Sequence, residues 1–293
     1  MENIKIQGYN NLDLNCYLFE AENPKGVVQI VHGMQEHALR YIDFANFLVY
    51  NGYAVLVSDL RGHGKTAKSK EEFGFGEEDI FAETVEDQII INKFLKEKYK
   101  LPVYVFGHSY GSFITQKLAQ GLTQSEKFIL CGTANGDNIL FSLGKMAASL
   151  AGLFGGKDKP AIFVESLSIK GYGKKFENGN WLSRDENVWE AYQQDEMCGG
   201  TFPVSFYQSM FKNLKKLNDG MENISSVSKL FLIVGDHDPV GSNAKQVIKL
   251  HEKYLKNGVN ASLKVYEDCR HELLNETNKK EVYNDVLDFL NEK

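Results

Sequence analysis

The sequence predicts an α/β protein: a mostly parallel eight-stranded sheet with helices on both faces and a largely helical segment inserted after the sixth strand. Three observations support this. Short apolar runs rich in β-branched and aromatic residues alternate with longer runs of helical period along most of the chain. The apolar runs are nearly continuous, as in strands buried on both faces. The alternation breaks between Gly132 and Ser228, a stretch rich in glycine, aromatics and helix-compatible segments.

The chain opens with two alternating stretches, around Ile4–Ile6 and Leu12–Phe19, joined by a Gly/Asn-rich turn as in an antiparallel hairpin. Buried-type strands follow at Val27–Val31, Tyr53–Ser58, Val103–Phe106, Phe128–Cys131, Leu230–Val234 and Leu263–Tyr266. Helical patterns fill the gaps. Tyr41–Tyr50 stops at Asn51-Gly52, and Asp79–Tyr99 stops before Pro102 with Val85, Ile89, Phe94 and Leu95 at helical spacing. Tyr110–Gln120 follows a tight turn, Ser242–Lys256 ends at Asn257-Gly258, and Asn278–Leu290 comes last. The expected division is a core of residues 1–132 and 229–293, with residues 133–228 as a cap above the sheet.

Composition narrows the function. Of 293 residues 43% are hydrophobic and 25% charged, which argues against disorder and coiled coil. The 33 basic and 39 acidic residues leave a net charge of −6, a poor footprint for nucleic acid. No apolar run approaches the roughly 18 residues of a membrane span. The opening MENIKIQGYNN lacks a basic region followed by an apolar stretch. Cys16, Cys131, Cys198 and Cys269 are scattered and form no CxxC. A cytoplasmic protein with free thiols is expected.

The strongest chemical signal is Gly107-His108-Ser109-Tyr110-Gly111, set between an apolar strand and a helical run. Gly-x-Ser-x-Gly in that context is a nucleophile elbow: a strained turn exposes the serine oxygen at the sheet edge, and the glycines let strand and helix pack closely. A serine hydroxyl needs a base, and the base an orienting acid. His271, in the loop after Leu263–Tyr266, is the candidate base. Asp238 is the candidate acid, with Asp236 its rival two residues earlier; the further position reaches past the sheet edge. An oxyanion hole needs two amide donors. Tyr110 N–H supplies one, and Met34 N–H, in the loop His32–His37, the other.

In chain order, HGMQEH, DLRGHGKT (Asp59–Thr66), GHSYG, GDHDPV and RHE resemble the α/β-hydrolase superfamily. The likeness is to its branch of monoacylglycerol lipases, lysophospholipases and serine aminopeptidases, which carries an HGxxEH loop, a DxRGHG turn and GHSxG. The resemblance implies an α/β-hydrolase fold, Ser109, Asp238 and His271 as the triad, Met34 and Tyr110 as oxyanion donors, and a cap over the active site. It implies a serine hydrolase that needs no cofactor and cleaves carboxylic esters of apolar acyl chains, such as monoacylglycerol or lysophospholipid. Gly132–Ser228 takes the place of the family's cap without a clear match to the lipase cap, so substrate choice stays open. One alternative is a peptidase, which would need a cap acid such as Glu177, Asp185, Asp195 or Glu196 to hold the substrate amine. Another is a ligand-binding protein that keeps the fold without the chemistry.

Further expectations concern the surroundings. His32, Glu36 and His37 approach H-x-x-E-H, but the spacing is one residue too long and no third ligand follows, so no metal is expected. His32 and His63 should brace loops, and Glu36 should pair with Arg61. Ser142–Phe154 places Leu143, Met146, Ala147, Leu150, Ala151 and Phe154 near one helical face, as in a lid that lines an acyl pocket or touches a membrane surface. The aromatic-rich stretch from Trp181 to Phe211 should wall an apolar site or form the cap's own core.

Overall fold

Strands that are apolar on both sides can hide both faces only beneath two layers of helix. The computed structural model, which describes residues 1–122, 125–167 and 169–292, is built that way. The strands are β1 (Glu2–Gln7), β2 (Asp13–Phe19), β3 (Gly26–Val31), β4 (Tyr53–Ser58), β5 (Val103–His108), β6 (Lys127–Cys131), β7 (Lys229–Gly235) and β8 (Asn260–Tyr266). They form one sheet in the order β1-β2-β4-β3-β5-β6-β7-β8. The β1–β2 and β2–β4 pairs are antiparallel, and every later pair is parallel. Asn10 and Asn11 turn the hairpin in the left-handed region that asparagine tolerates. Within β6, Phe128 and Leu130 point into one core, Ile129 and Cys131 into the other.

The helices are α1 (Ile42–Tyr50), α2 (Ile80–Tyr99), α3 (Tyr110–Gly121), α4 (Ile139–Gly155), α5 (Ile162–Leu167), α6 (Ile169–Gly173), α7 (Glu186–Gln194), α8 (Val204–Leu214), α9 (Lys245–Lys256) and α10 (Lys279–Asn291). α1 and α10 cover one face of the sheet through Phe44, Leu48, Val286 and Phe289. α2, α3 and α9 cover the other through Leu95, Ile114, Leu118 and Leu250. None of the helices among the described residues is long and apolar enough to cross a membrane. Between β6 and β7 the described residues hold five helices, α4 to α8, and an isolated bridge between Pro160 and Pro203. Asp79, which caps α2, ties this insertion to the core. Its carboxylate accepts from Ser209 Oγ at 2.5 Å, Asn213 Nδ2 at 2.8 Å and Lys212 Nζ at 2.8 Å, all on α8.

Of the boundaries that differ from expectation, two bear on the site. β5 continues through Gly107 and His108, because the glycine still pairs with β6 through backbone that needs no side chain. α9 starts at Lys245, because Ser242, Asn243 and Ala244 turn through the left-handed region while the Asn243 N–H donates to the Asp238 carbonyl at 2.8 Å.

Arg61 is buried and donates from two nitrogens to Asp87 on α2, each at 3.0 Å, and to the Tyr9 carbonyl at 2.8 Å. The expected Glu36–Arg61 pair does not form: β4 delivers Arg61 onto α2, while Glu36 turns back to Arg40 at 2.8 Å. Removing one partner of a buried pair strands the other charge. Asp87→Ala is therefore expected to lower unfolding free energy by about 3–5 kcal/mol in urea titration.

Candidate active site

β5 ends at His108 and α3 begins at Tyr110, so Ser109 alone turns the chain. It does so at φ +51°, ψ −119°, a conformation that costs a residue with a side chain about 1–3 kcal/mol. Contacts hold it there. The Ser109 N–H donates to the Cys131 carbonyl at 2.9 Å, and the Ser112 N–H donates to the Ser109 carbonyl at 2.9 Å. A β-carbon on Gly107 would stand 2.2 Å from Thr115 Oγ1, and one on Gly111 would stand 2.1 Å from the Val31 carbonyl oxygen. Strand and helix meet backbone to backbone, and only glycine fits at either position.

Asp238 follows β7 and His271 follows β8, and these neighbouring parallel strands end at the same edge. His271 Nδ1 lies 2.9 Å from Asp238 Oδ1, and both side chains are almost wholly buried. Asp236 does not reach His271; it pairs with exposed His237 at 2.7 Å. The Val240 N–H also donates to Asp238 Oδ1, at 2.8 Å. His271 Nε2 is buried without a hydrogen-bond partner among the described residues. It is therefore not bonded to Ser109, but the two residues line one small cavity of about 40 Å³. The Trp181 ring stands over the imidazole with centroids 5.0 Å apart.

Burial pulls the His271 imidazolium down, but the carboxylate of Asp238, with Glu272 and Glu36 behind it, overcomes this and raises its pKa above the ordinary value. Three nearby imidazoles go the other way. Burial pushes His108 down to about 3, aided by the charge of His271, and His63 down to about 4. His32 is pushed well below the ordinary range, again chiefly by burial. All three rings are neutral, and His32 and His63 act as hydrogen-bonding groups. The Leu60 N–H donates to His32 Nε2 at 2.9 Å, which leaves Nδ1–H to donate to the Gly33 carbonyl at 2.7 Å. His63 Nδ1 lies 2.9 Å from the Arg61 carbonyl. Both histidines brace loops.

The loop after β3 is held from below. The Gly33 N–H donates to Glu36 Oε1 at 2.5 Å, and Glu36 also accepts from Arg40 and Tyr41, each at 2.8 Å. Arg40 in turn grips both oxygens of Glu272, next to His271, at 2.7 and 2.8 Å. Burial alone would raise the Glu272 pKa, but the guanidinium holds it at about 2. Met34 N–H has no acceptor among the described residues. The N–H of Tyr110 lies in the first turn of α3, where no intrahelical acceptor exists. Sequence reasoning missed Arg40 and Glu272; their signals were an acid directly after His271 and an i,i+4 spacing between Glu36 and Arg40. It also missed the meeting of His37 with Asp195 at 2.8 Å, beside Cys198.

Above Ser109 lies a cavity of about 290 Å³ walled by side chains of the core and of the insertion. Phe113, Phe141, Leu143, Ala147, Met210 and Phe211 supply much of its surface, and among the described residues no carboxylate lines it. The four acids considered for an amine site lie elsewhere. Glu177 is exposed, Asp185 caps α7, Asp195 binds His37, and Glu196 is exposed beside Lys70. The aromatic stretch splits by role: Trp181, Tyr207 and Phe211 line the cavity, Phe202 and Phe206 pack on His63, and Trp189 stacks on Tyr192. α4 splits too. Leu143 and Ala147 face the cavity, while Met146, Leu153 and Phe154 point into solvent.

The sequence model of the family described as "Serine aminopeptidase, S33" matches residues 22–278. A monoacylglycerol lipase of Mycolicibacterium smegmatis is 27% identical over 283 residues, covering 92% of this chain and 89% of its own length. Phospholipase YtpA of Bacillus subtilis is 27% identical over 274 residues, covering 91% and 95%. A thermostable carboxyl esterase of Bacillus coagulans, solved with glycerol, superposes with a TM-score of 0.90 at 25% identity, covering 99% of this chain and 97% of that one. A monoglyceride lipase of Saccharomyces cerevisiae shares the fold, with a TM-score of 0.78 at 18% identity over 99% of this chain and 94% of that one. The family match runs from the strand before the His32–His37 loop to the loop that carries His271, and by it the chain belongs to the Serine aminopeptidase, S33 family of the α/β-hydrolase superfamily.

Proposed function

We propose that this protein is a serine hydrolase that cleaves carboxylic esters of apolar acyl chains, monoacylglycerol or lysophospholipid, through an acyl-enzyme. One observation supports this most: an apolar cavity free of carboxylates ends at Ser109, beside an imidazole whose far nitrogen is fixed on a buried aspartate. The names of the relatives point the same way. Residues 133–228 act as the cap. The larger cavity shows no carboxylate among the described residues, and Glu36 and Glu272, which border the small one, are both held by Arg40; a substrate ammonium would find no free carboxylate partner, which disfavours the peptidase alternative. A non-catalytic binding role leaves the strained Ser109 backbone without a purpose.

Asp238 fixes the Nδ1–H tautomer of His271, which leaves a lone pair on Nε2. That nitrogen takes the proton as Ser109 Oγ attacks the ester carbonyl, and Asp238 stabilises the imidazolium. The N–H groups of Met34 and Tyr110 receive the negative charge on the carbonyl oxygen. His271 protonates the departing alcohol. It then deprotonates the water that hydrolyses the acyl-enzyme, so Ser109 is regenerated and a fatty acid leaves. The hydrogen bond from Ser109 to His271 forms when substrate fills the small cavity, as is common where free enzymes hold these groups loosely.

The exposed side of α4 continues the cavity outward. Leu143 lines the cavity and is half exposed, and Met146, Leu153 and Phe154 extend the same apolar surface. Lys145, Lys157 and Lys159 flank it, exposed. We assign this face to transient contact with a lipid surface, where apolar groups enter and lysines meet phosphates. The free thiols at Cys16, Cys131, Cys198 and Cys269 suit a cytoplasmic setting.

A fluorophosphonate should label the protein at Ser109, and Ser109→Ala should abolish labelling and lower kcat on a short aryl ester about 10⁶-fold. An unlabelled wild type sinks the mechanism, and turnover of aminoacyl amides but not monoacylglycerols sinks the substrate. Because His271 must be neutral to act as base and its pKa is raised, kcat/KM should fall with an acidic limb above the ordinary imidazole value of about 6.5. Asp238→Asn should move that limb down and lower kcat about 10⁴-fold. Leu153→Asp with Phe154→Asp should weaken cosedimentation with phosphatidylglycerol vesicles at least about tenfold, since each replaced side chain forfeits about 1.5–3 kcal/mol of burial. Equal cosedimentation of variant and parent removes the lipid surface from the proposal.

A further inference from the structure

The loop after β3 is gripped at one residue by the insertion. Gln35, next to Met34, adopts φ +60°, the left-handed region that costs an ordinary residue about 1–2 kcal/mol. Four hydrogen bonds from the insertion converge on it. Its side-chain amide donates to Glu165 Oε1 at 3.0 Å and to the Gly200 carbonyl at 2.8 Å. Its carbonyl accepts from the Gly199 N–H at 2.8 Å and from the Tyr192 hydroxyl at 3.0 Å. Glu165 is itself only 2% exposed, and the same oxygen accepts from the Phe202 N–H at 3.0 Å and the Tyr207 hydroxyl at 2.9 Å. A carboxylate so buried, anchored on two insertion residues and reaching one residue of a core loop, is a built connection rather than a surface contact.

We propose that Gln35 and Glu165 are positioning residues. Through Glu165 the docked insertion holds Gln35 in its left-handed conformation and thereby aims the Met34 N–H at the developing oxyanion. The inference rests on the reading of Met34 as an oxyanion donor. Met34 is fixed from both sides: Glu36 holds the Gly33 N–H, and the insertion holds Gln35. If Gln35 relaxed to an ordinary φ, rotation about its N–Cα bond would carry Met34 and the Gly33–Met34 peptide with it, and the donor N–H would turn away. Tyr207 also lines the apolar cavity, so an acyl chain seated there touches the network that sets the donor. Oxyanion stabilisation would then depend on the insertion being docked, and an undocked insertion would leave the nucleophile intact but slow.

The test compares Gln35→Asn, Glu165→Ala and Glu165→Gln. Asparagine tolerates the left-handed region but is too short to reach Glu165, so it removes the side-chain tether without adding strain and leaves the two bonds to the main-chain carbonyl. Glutamine at 165 keeps an acceptor oxygen that alanine lacks. Loss of an oxyanion donor costs about 10²–10³ in kcat, and a misaimed one less. Gln35→Asn and Glu165→Ala are expected to lower kcat on a short aryl ester about tenfold or more with KM within about twofold, because the interaction is made in the transition state. Glu165→Gln should lose markedly less than Glu165→Ala. Fluorophosphonate labelling of Gln35→Asn should still reach full stoichiometry, but more slowly. An unchanged kcat in Gln35→Asn overturns the proposal, as does a raised KM at constant kcat, which would mean that the insertion acts on substrate binding alone. If Glu165→Ala does not fold, Gln35→Asn decides, since it alters only the tether. If wild-type protein is not labelled, the mechanism itself has failed, which is a separate result.

Discussion

One guanidinium joins the two loops between which a reaction at Ser109 would occur. Arg40 binds Glu36, which holds the Gly33 N–H, and Glu272, which sits beside His271. Burying three charges is costly unless each is satisfied by geometry and hydrogen bonds. Arg40 meets that condition with its bidentate grip on Glu272, its contact with Glu36 and the Tyr192 ring beneath it, 5.0 Å away. The clamp ties the two loops together: the loop carrying Met34 and the loop carrying His271 cannot move apart without stranding a charge. A single cation thus fixes the separation of groups that arrive from opposite ends of the chain.

Around this clamp, burial sorts imidazoles by partner. His32, His63 and His108 are all buried, and desolvation leaves them neutral. His271 is equally buried, yet its pKa is raised, because a carboxylate sits 2.9 Å from Nδ1. The same desolvation therefore yields neutral rings at three positions, two of them loop braces, and a titratable group at the fourth. What distinguishes them is where a buried aspartate can reach.

The insertion adds a second layer of constraint. Its helices wall the cavity, its side chains hold Gln35, and α8 is tied to the start of α2 through Asp79. The cavity and the loop geometry are thereby made by the same segment. A change in the insertion can alter which molecule fits and how well the loop beneath it is set.

The sequence by itself determined the strands, the covering helices and the place of Ser109, because these follow from local patterning: apolar runs, helical spacing and two glycines flanking a serine. It also placed His271 and Asp238 at strand ends, since neighbouring parallel strands deliver their following loops to one edge. Sequence favoured Asp238 over Asp236 by its reach past the sheet edge, and the turn after β7 aims Asp238 at His271 while Asp236 pairs with His237. The pairings of Arg40 with Glu272, of Arg61 with Asp87 and of Gln35 with Glu165 were decided by tertiary structure alone. Each joins residues far apart in sequence with no periodic signature, and charges choose partners by where the backbone brings them, not by spacing along the chain. The exposure of α4 belongs to the same class: helical spacing gathers its apolar residues, and only packing settles which of them face a cavity and which face water.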